Sequence, residues 1–267
     1  IIAKIGFSGS LIFYDSMLGD ITTEDRVDNV SSQGYAWGYI GSCVPFVLCL
    51  VIVLGSDPLG IRMETAMGIA FVLVAVWWLL MSLPLLKNYE QKYYVEKKPH
   101  AIAQSFKRLG ETFKNMKEEK QVFMFLLAFF FYIDGVYTII DMATAYGSAL
   151  GLDSTGLLLA LLVTQIVAFP CAIIFGNLSY RIRTEKLIIV CIFAYLGIAI
   201  FAVFLKTQLQ FWILAILVGM FQGGIQALSR SYFTKIIPEE HSGEYFGLMD
   251  ICGKGASFVG TTIVSIV

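Results

Sequence analysis

Charge is scarce in this chain. Only 15% of its 267 residues are Asp, Glu, Lys or Arg and the net charge is −1, whereas soluble domains carry about 25% charged residues. Such a chain offers no broad basic surface to nucleic acid and no acidic one to a basic partner. Histidine is rarer still. His100 and His241 both fall in polar stretches, which excludes a histidine-ligated metal or haem among the apolar segments and leaves no cofactor to expect. The five cysteines, Cys43, Cys49, Cys171, Cys191 and Cys252, all lie within apolar runs. They read as small buried hydrophobes, with neither disulfides nor a metal site among them.

What fills the chain instead is hydrophobicity, 57% by composition, gathered into runs. Eight runs stand out: Ile1 to about Asp20, Tyr35 to Leu54, Glu64 to Leu86, Gln121 to Ile140, Thr155 to Gly176, Leu187 to Leu205, Phe211 to about Arg230, and Glu244 to Val267. About twenty apolar residues in a helix cross a hydrocarbon layer of roughly 30 Å. The expected fold is therefore all-α, a polytopic membrane protein embedded in the lipid bilayer. Gly55-Ser56-Asp57-Pro58 marks a turn. The chain starts at Ile1, opens and closes in apolar sequence and shows no signal-peptide pattern, so it is expected to be an internal piece of a longer protein.

One polar gap, 87–120, is far longer than the others and divides the chain into three spans (1–86) and five spans (121–267). It carries Lys87, Lys92, Lys97, Lys98, Lys107, Arg108, Lys114, Lys117 and Lys120, so it is placed in the cytoplasm. The gap 141–154 has no Lys or Arg, Arg181, Arg183 and Lys186 return to the inner side, Lys206 alone lies outside, and Arg230 with Lys235 lie inside. Before Tyr35 acids outnumber the single Arg26, and there the orientation rests on counting spans. Within the long gap Ile102, Phe106, Leu109, Phe113 and Met116 recur every three or four residues. This spacing predicts an amphipathic helix with a basic opposite face lying on the inner leaflet.

Ionisable and amide groups inside spans are costly and mark a solute or ion path. Asp134, in Tyr132-Ile133-Asp134-Gly135-Val136-Tyr137, is the candidate for proton coupling. By spacing it shares a helix face with Tyr137 and with Asp141, which is read as interfacial. Gln165, Gln222, Gln226 and Tyr137 are the candidates for hydrogen bonding a solute, since amides at membrane depth must find partners. Asp250 and Lys254, four residues apart, are expected to form a gating or structural ion pair, with Ser257 and Thr261 continuing their stripe. Gly219 and Gly223 are spaced for close helix contact. Arg230 is expected to snorkel to the inner interface. Tyr14-Asp15, at the inner end of the first run, invites comparison with intramembrane aspartyl proteases. Their Gly-x-Gly-Asp element is absent, as are a His-Glu-x-x-His zinc site and a phosphate loop, so no enzyme is expected.

The turn Gly176-Asn177-Leu178-Ser179-Tyr180-Arg181-Ile182-Arg183-Thr184-Glu185-Lys186 resembles a degraded form of the major facilitator signature G-x-L-x-D-R-x-G-R-K, with Tyr180 in place of the acid and Arg183 in place of the second glycine. Phe13 to Ile21, Val30 to Tyr39, Gly219 to Pro238, and Glu244-Tyr245-Phe246-Gly247 with Asp250, Gly253 and Lys254 are similar to the autophagy-related vacuole effluxer family. The resemblance implies a major facilitator helix bundle of twelve helices, of which this chain holds the fourth to the eleventh. It further implies a secondary transporter that moves a small solute, with amino-acid efflux the implied activity; protons, through Asp134, are the expected coupling ion and a monomer is the expected state. The cell membrane is implied if the chain is bacterial and the vacuolar membrane if it is fungal. A transporter-derived sensor or scaffold without net transport is the other class the sequence leaves open.

Overall fold

A computed structural model of the chain describes residues 2–58, 60–93, 108, 110 and 119–266. Every long element among them is a helix: α1 (Ile2–Ser16), α2 (Leu18–Ile21), α3 (Val27–Leu54), α4 (Met63–Asn88), α5 (Lys120–Ala149), α6 (Ser154–Leu178), α7 (Thr184–Val203), α8 (Gln208–Ile236) and α9 (Ser242–Ile266), with a 3₁₀ turn at Glu239–His241. Six of them, α3 to α8, are long and apolar enough to cross a membrane. The other two expected spans are helical as well; α1 has 15 residues, and α9 has 25 but carries Asp250 and Lys254 in its middle. The result is a multi-pass membrane protein, a helix bundle of the major facilitator type. The amphipathic repeat from Ile102 to Met116 lies outside the described residues.

Local chemistry sets the helix ends. Gly60 (φ 65°) and Gly151 (φ 73°) take left-handed backbone in the turns after α3 and α5, where a side chain would be strained. Asp153 caps α6, accepting from the Gly156 N–H at 2.6 Å. A capping box of Thr207 and Gln210 starts α8.

Two boundaries differ from the sequence expectation. The polar stretch before Tyr35 is helical from Val27, so α3 gains two turns at its inner end. Asp28, Ser31 and Ser32 there are buried, and the partners that make this helical stretch worthwhile come from other helices. Likewise α5 runs past Ile140 to Ala149, so Asp141 lies within a helix and not in a loop.

The core sits around α8. It packs on α6, α7, α3 and α5, and α6 also packs on α3. Glycines permit the closest of these approaches: a methyl at Gly219 would lie 2.7 Å from the Thr164 carbonyl oxygen, and one at Gly223 would lie 2.8 Å from Ala172 Cβ. Apolar side chains of α5, α7, α8 and α9 form the larger cluster, with Ile133, Ile225, Leu228 and Phe233 fully buried. By contrast α4 touches mainly α3 and buries only Ala66. Helix α1 lies against α9, so contacts between the leading helices (α1 to α4) and the trailing ones (α5 to α9) run along both α3–α6–α8 and α1–α9.

Candidate functional site

The ends of α1, α3, α7 and α8 on the side that the basic gap 87–120 predicts to be inner meet in a network of buried polar groups. At its centre is Arg230, whose side chain is 4% exposed. Its Nε donates to Ser31 Oγ at 3.0 Å, one Nη to the Ser31 carbonyl at 3.1 Å, and the other Nη to Asp15 Oδ1 at 3.1 Å. The guanidinium carbon also lies 5.1 Å from the centre of the Tyr14 ring and 4.8 Å from that of Tyr35, within cation–π range. Arg230 therefore does not snorkel. The donors and the charge that a snorkelling arginine would offer to water are satisfied here by α1 and α3, elements over two hundred residues away in sequence or nearly so.

One turn further in, Asp28 of α3 accepts from Thr184 Oγ1 at 2.7 Å, Ser231 Oγ at 2.6 Å and Lys235 Nζ at 2.6 Å. Beside it Asn29 donates to Asn177 Oδ1 at 3.2 Å. The signature-like turn from Gly176 to Lys186 thus sits against the inner end of α3, and a methyl at Gly176 would collide with Ser32 Cβ at 2.7 Å. Asp28, Ser32, Tyr35 and Tyr39 form a stripe with steps of three and four residues, a helical signal readable once the polar stretch is taken as helix.

Above this network lies a cavity of about 280 Å³ between α1, α3, α5, α8 and α9. Arg230 and Asp15 form its inner end. Charges of both signs line it: Lys4, Arg230 and Lys254 against Asp15, Asp141 and Asp250, with Tyr35, Tyr137 and Gln226 among them. Asp250 and Lys254 are bonded to each other, and Asp141 accepts from Ser257 Oγ at 2.9 Å. Gln226 accepts from the Tyr39 hydroxyl at 2.7 Å.

The sequence candidates divide among three places. Tyr137, Gln226, Asp250 and Lys254 share this cavity. Gln165 and Gln222 line a smaller pocket of about 70 Å³ next to it, between α5, α6 and α8. Asp134 lies in neither. The α5 row that faces the cavity is Phe129, Ile133, Tyr137 and Asp141, whereas Asp134 and Thr138 turn toward Gly260 of α9, where a methyl would collide with both. Asp134 Oδ1 and Thr138 Oγ1 are buried there without a hydrogen-bond partner. Rows spaced by four advance about 40° per step around a helix, so a residue one row over leaves the cavity even though it is three or seven residues from one that lines it. Lys4, Tyr35 and the Asp28 group are the site residues that the sequence did not single out, while Asp15, noticed there beside Tyr14, proves to be the partner of Arg230.

A Gly-x-Ser-Gly sequence occurs at Gly6 to Gly9, the kind of setting that holds an intramembrane serine nucleophile. Among the described residues no histidine hydrogen-bonds Ser8, and His241 sits in the inner 3₁₀ turn, 3.7 Å from Glu244.

Comparison with known proteins bears on the same residues. The family described as vacuole effluxer Atg22 like matches residues 20–267. A Bacillus subtilis protein named as an uncharacterized MFS-type transporter, YxiO, is 45% identical over 267 residues, which is 99% of this chain and 62% of that protein. Autophagy-related protein 22-1 of Aspergillus fumigatus is 22% identical over 89% of this chain and 43% of its own length. Autophagy-related protein 22 of Kluyveromyces lactis is 23% identical over 100% and 58%. The chain therefore spans less than two thirds of each of these relatives. No solved structure matches it.

Proposed function

The chain belongs to the vacuole effluxer Atg22-like family, and from that premise we propose that it is part of a secondary active transporter that moves a small solute by alternating access. The observation that carries this reading is the cavity itself. It lies at the junction of the leading and trailing helices, holds three acids and three bases, and ends at the inner side on a buried arginine. A site between two helix blocks and near the bilayer midplane is where such transporters bind their cargo.

The charges suit a small solute bearing both signs, such as an amino acid, whose acidic group faces Arg230 or Lys254 and whose amine faces Asp141 or Asp250. Tyr137 and Gln226 complete the binding, and Gln165 and Gln222 extend it into the neighbouring pocket. Asp15–Arg230 and Asp28–Lys235 then act as the inner closure, since each pair joins a leading helix to a trailing one. A solute carboxylate that takes the place of Asp15 on Arg230 loosens α1 from α8, which links occupancy to opening; the solute shifts the balance by its differential affinity for the two states.

Asp134 is the coupling residue in this scheme. Its Oδ1 is buried with no donor and lies where α5 packs on α9, so gain or loss of a proton there changes how these two helices fit. The membrane is the cell membrane in a bacterial setting and the vacuolar membrane in a fungal one.

The test uses the full-length protein in proteoliposomes loaded in turn with single labelled amino acids, with efflux followed with and without an imposed proton gradient. Gradient-dependent loss of one class is the expected result, and Asp134→Asn should abolish the gradient dependence while leaving solute exchange. Unchanged pH dependence in that variant would remove Asp134 from the scheme. Saturable binding with no flux under any gradient would identify a sensor instead of a transporter.

A further inference from the structure

Of the charges that line the cavity, most are already answered. Asp15 pairs with Arg230, and Asp250 with Lys254. That leaves Lys4 of α1 and Asp141 of α5. Among the described residues Lys4 has no hydrogen bond or ion pair, and Asp141 has the Ser257 hydroxyl but no cation. Both residues are exposed, whereas Arg230 is buried.

The two lie at the same end of the cavity. Helix α1 runs toward Asp15, and at a rise of about 1.5 Å per residue Lys4 stands about 16 Å from it along the helix. Asp141 is held at the level of Ser257 by their hydrogen bond of 2.9 Å, and Ser257 is about 10 Å beyond Asp250 along α9. Helix α9 packs on both α1 and α5, so Lys4 and Asp141 flank its cavity-lining row. A charge at membrane depth without a counter-charge is costly. A solute that brings an anion to Lys4 and a cation to Asp141 relieves both at once. A solute of one sign leaves one of them standing.

We propose that Lys4 and Asp141 form a capture subsite for a zwitterionic solute at the end of the cavity opposite Arg230, Lys4 taking the carboxylate and Asp141 the ammonium. The proposal rests on the transporter reading above and names the residues that set its specificity. With Arg230 and Lys254 each held by an acid of its own, the solute meets the two open charges first. Its carboxylate passes to Arg230 only when Asp15 gives way. The flexible lysine stem lets the Lys4 ammonium adjust to the solute. Each charge-assisted contact is worth about ten- to a hundredfold in affinity.

The test is equilibrium binding of labelled leucine, glutamate and lysine to the full-length protein in lipid nanodiscs, with the decarboxylated amine and the deaminated acid of each as competitors. The parent should hold at least one of these amino acids more tightly than either of its analogues. Lys4→Gln should weaken that amino acid by the same factor and leave its amine unchanged. Asp141→Asn should weaken the amino acid and the amine alike and leave the acid unchanged. The analogue that a variant still binds normally shows that the variant is folded. If Lys4→Gln keeps the parent's full preference for the amino acid over its amine, the subsite is overturned and the transporter reading stands. If the parent binds none of the three amino acids, the zwitterion reading fails and the subsite falls with it.

Discussion

Arg230→Gln should lose transport and unfold at a markedly lower temperature than the parent, while Asp15→Asn should be milder on both counts. The asymmetry follows from what each change leaves behind. Without its cation the Asp15 carboxylate, whose side chain is 30% exposed, loses its ion-pair partner, and the Ser31 carbonyl and hydroxyl lose two donors. Removing one member of a buried pair costs about 3–5 kcal/mol, and the part-exposure of Asp15 places the effect toward the lower end. Asp15→Asn keeps an acceptor for Nη1, and Arg230 retains Ser31 and the two tyrosine rings, so about 1–2 kcal/mol is expected. Thermal unfolding of the full-length protein in detergent ranks the variants. The double variant should be no worse than Arg230→Gln alone, because the two residues share one interaction. Equal melting of Arg230→Gln and the parent would show that the arginine is not the hub of the inner network.

The second large effect belongs to Gly219. A methyl there would sit 2.7 Å from the Thr164 carbonyl oxygen, 3.1 Å from Val167 Cβ and 3.3 Å from Thr164 Cα. Two of these neighbours are backbone of α6, which cannot turn aside as a side chain can. Gly219→Ala should therefore cost about 1–3 kcal/mol through overpacking, and Gly219→Leu should prevent α6 and α8 from meeting at all, giving little monodisperse protein on size exclusion. Gly197 of α7 is the control. A methyl at that position meets nothing within 4 Å, and Gly197→Ala should leave yield and melting unharmed. If Gly219→Leu folds as well as Gly197→Ala, the close approach of α6 and α8 is not what holds the core together.

Much of this architecture could be read along the chain because it is local. Hydropathy finds the long spans, the Gly219–Gly223 spacing finds the tight crossing, and the four-residue step from Asp250 to Lys254 finds an ion pair that the structure forms. What could not be read is whatever depends on which helices become neighbours. Arg230 looks like an interfacial residue until α1 and α3 supply Asp15 and Ser31 from the far end of the sequence. The first two turns of α3 look like a loop because they are polar, yet their polarity is answered by Thr184, Ser231, Lys235 and Asn177. Asp134 illustrates a finer limit. Spacing places it on roughly the face of Tyr137 and Asp141, but the cavity is only one row of side chains wide on α5, and which row faces it is set by packing on α9.

The ties across the proposed inner closure are charges, hydroxyls, amides and tyrosine rings, while the extended apolar clusters lie mainly within the trailing helices. Parting the two sides would thus wet mainly polar surface. Hydration of polar groups lowers heat capacity where hydration of apolar groups raises it, so opening should carry a small heat-capacity change of either sign. The balance between closed and open would then drift little with temperature, and respond far more to ionic strength. A closure built this way can be tuned by ions and solutes across a wide range of growth temperatures without being reset by the temperature itself.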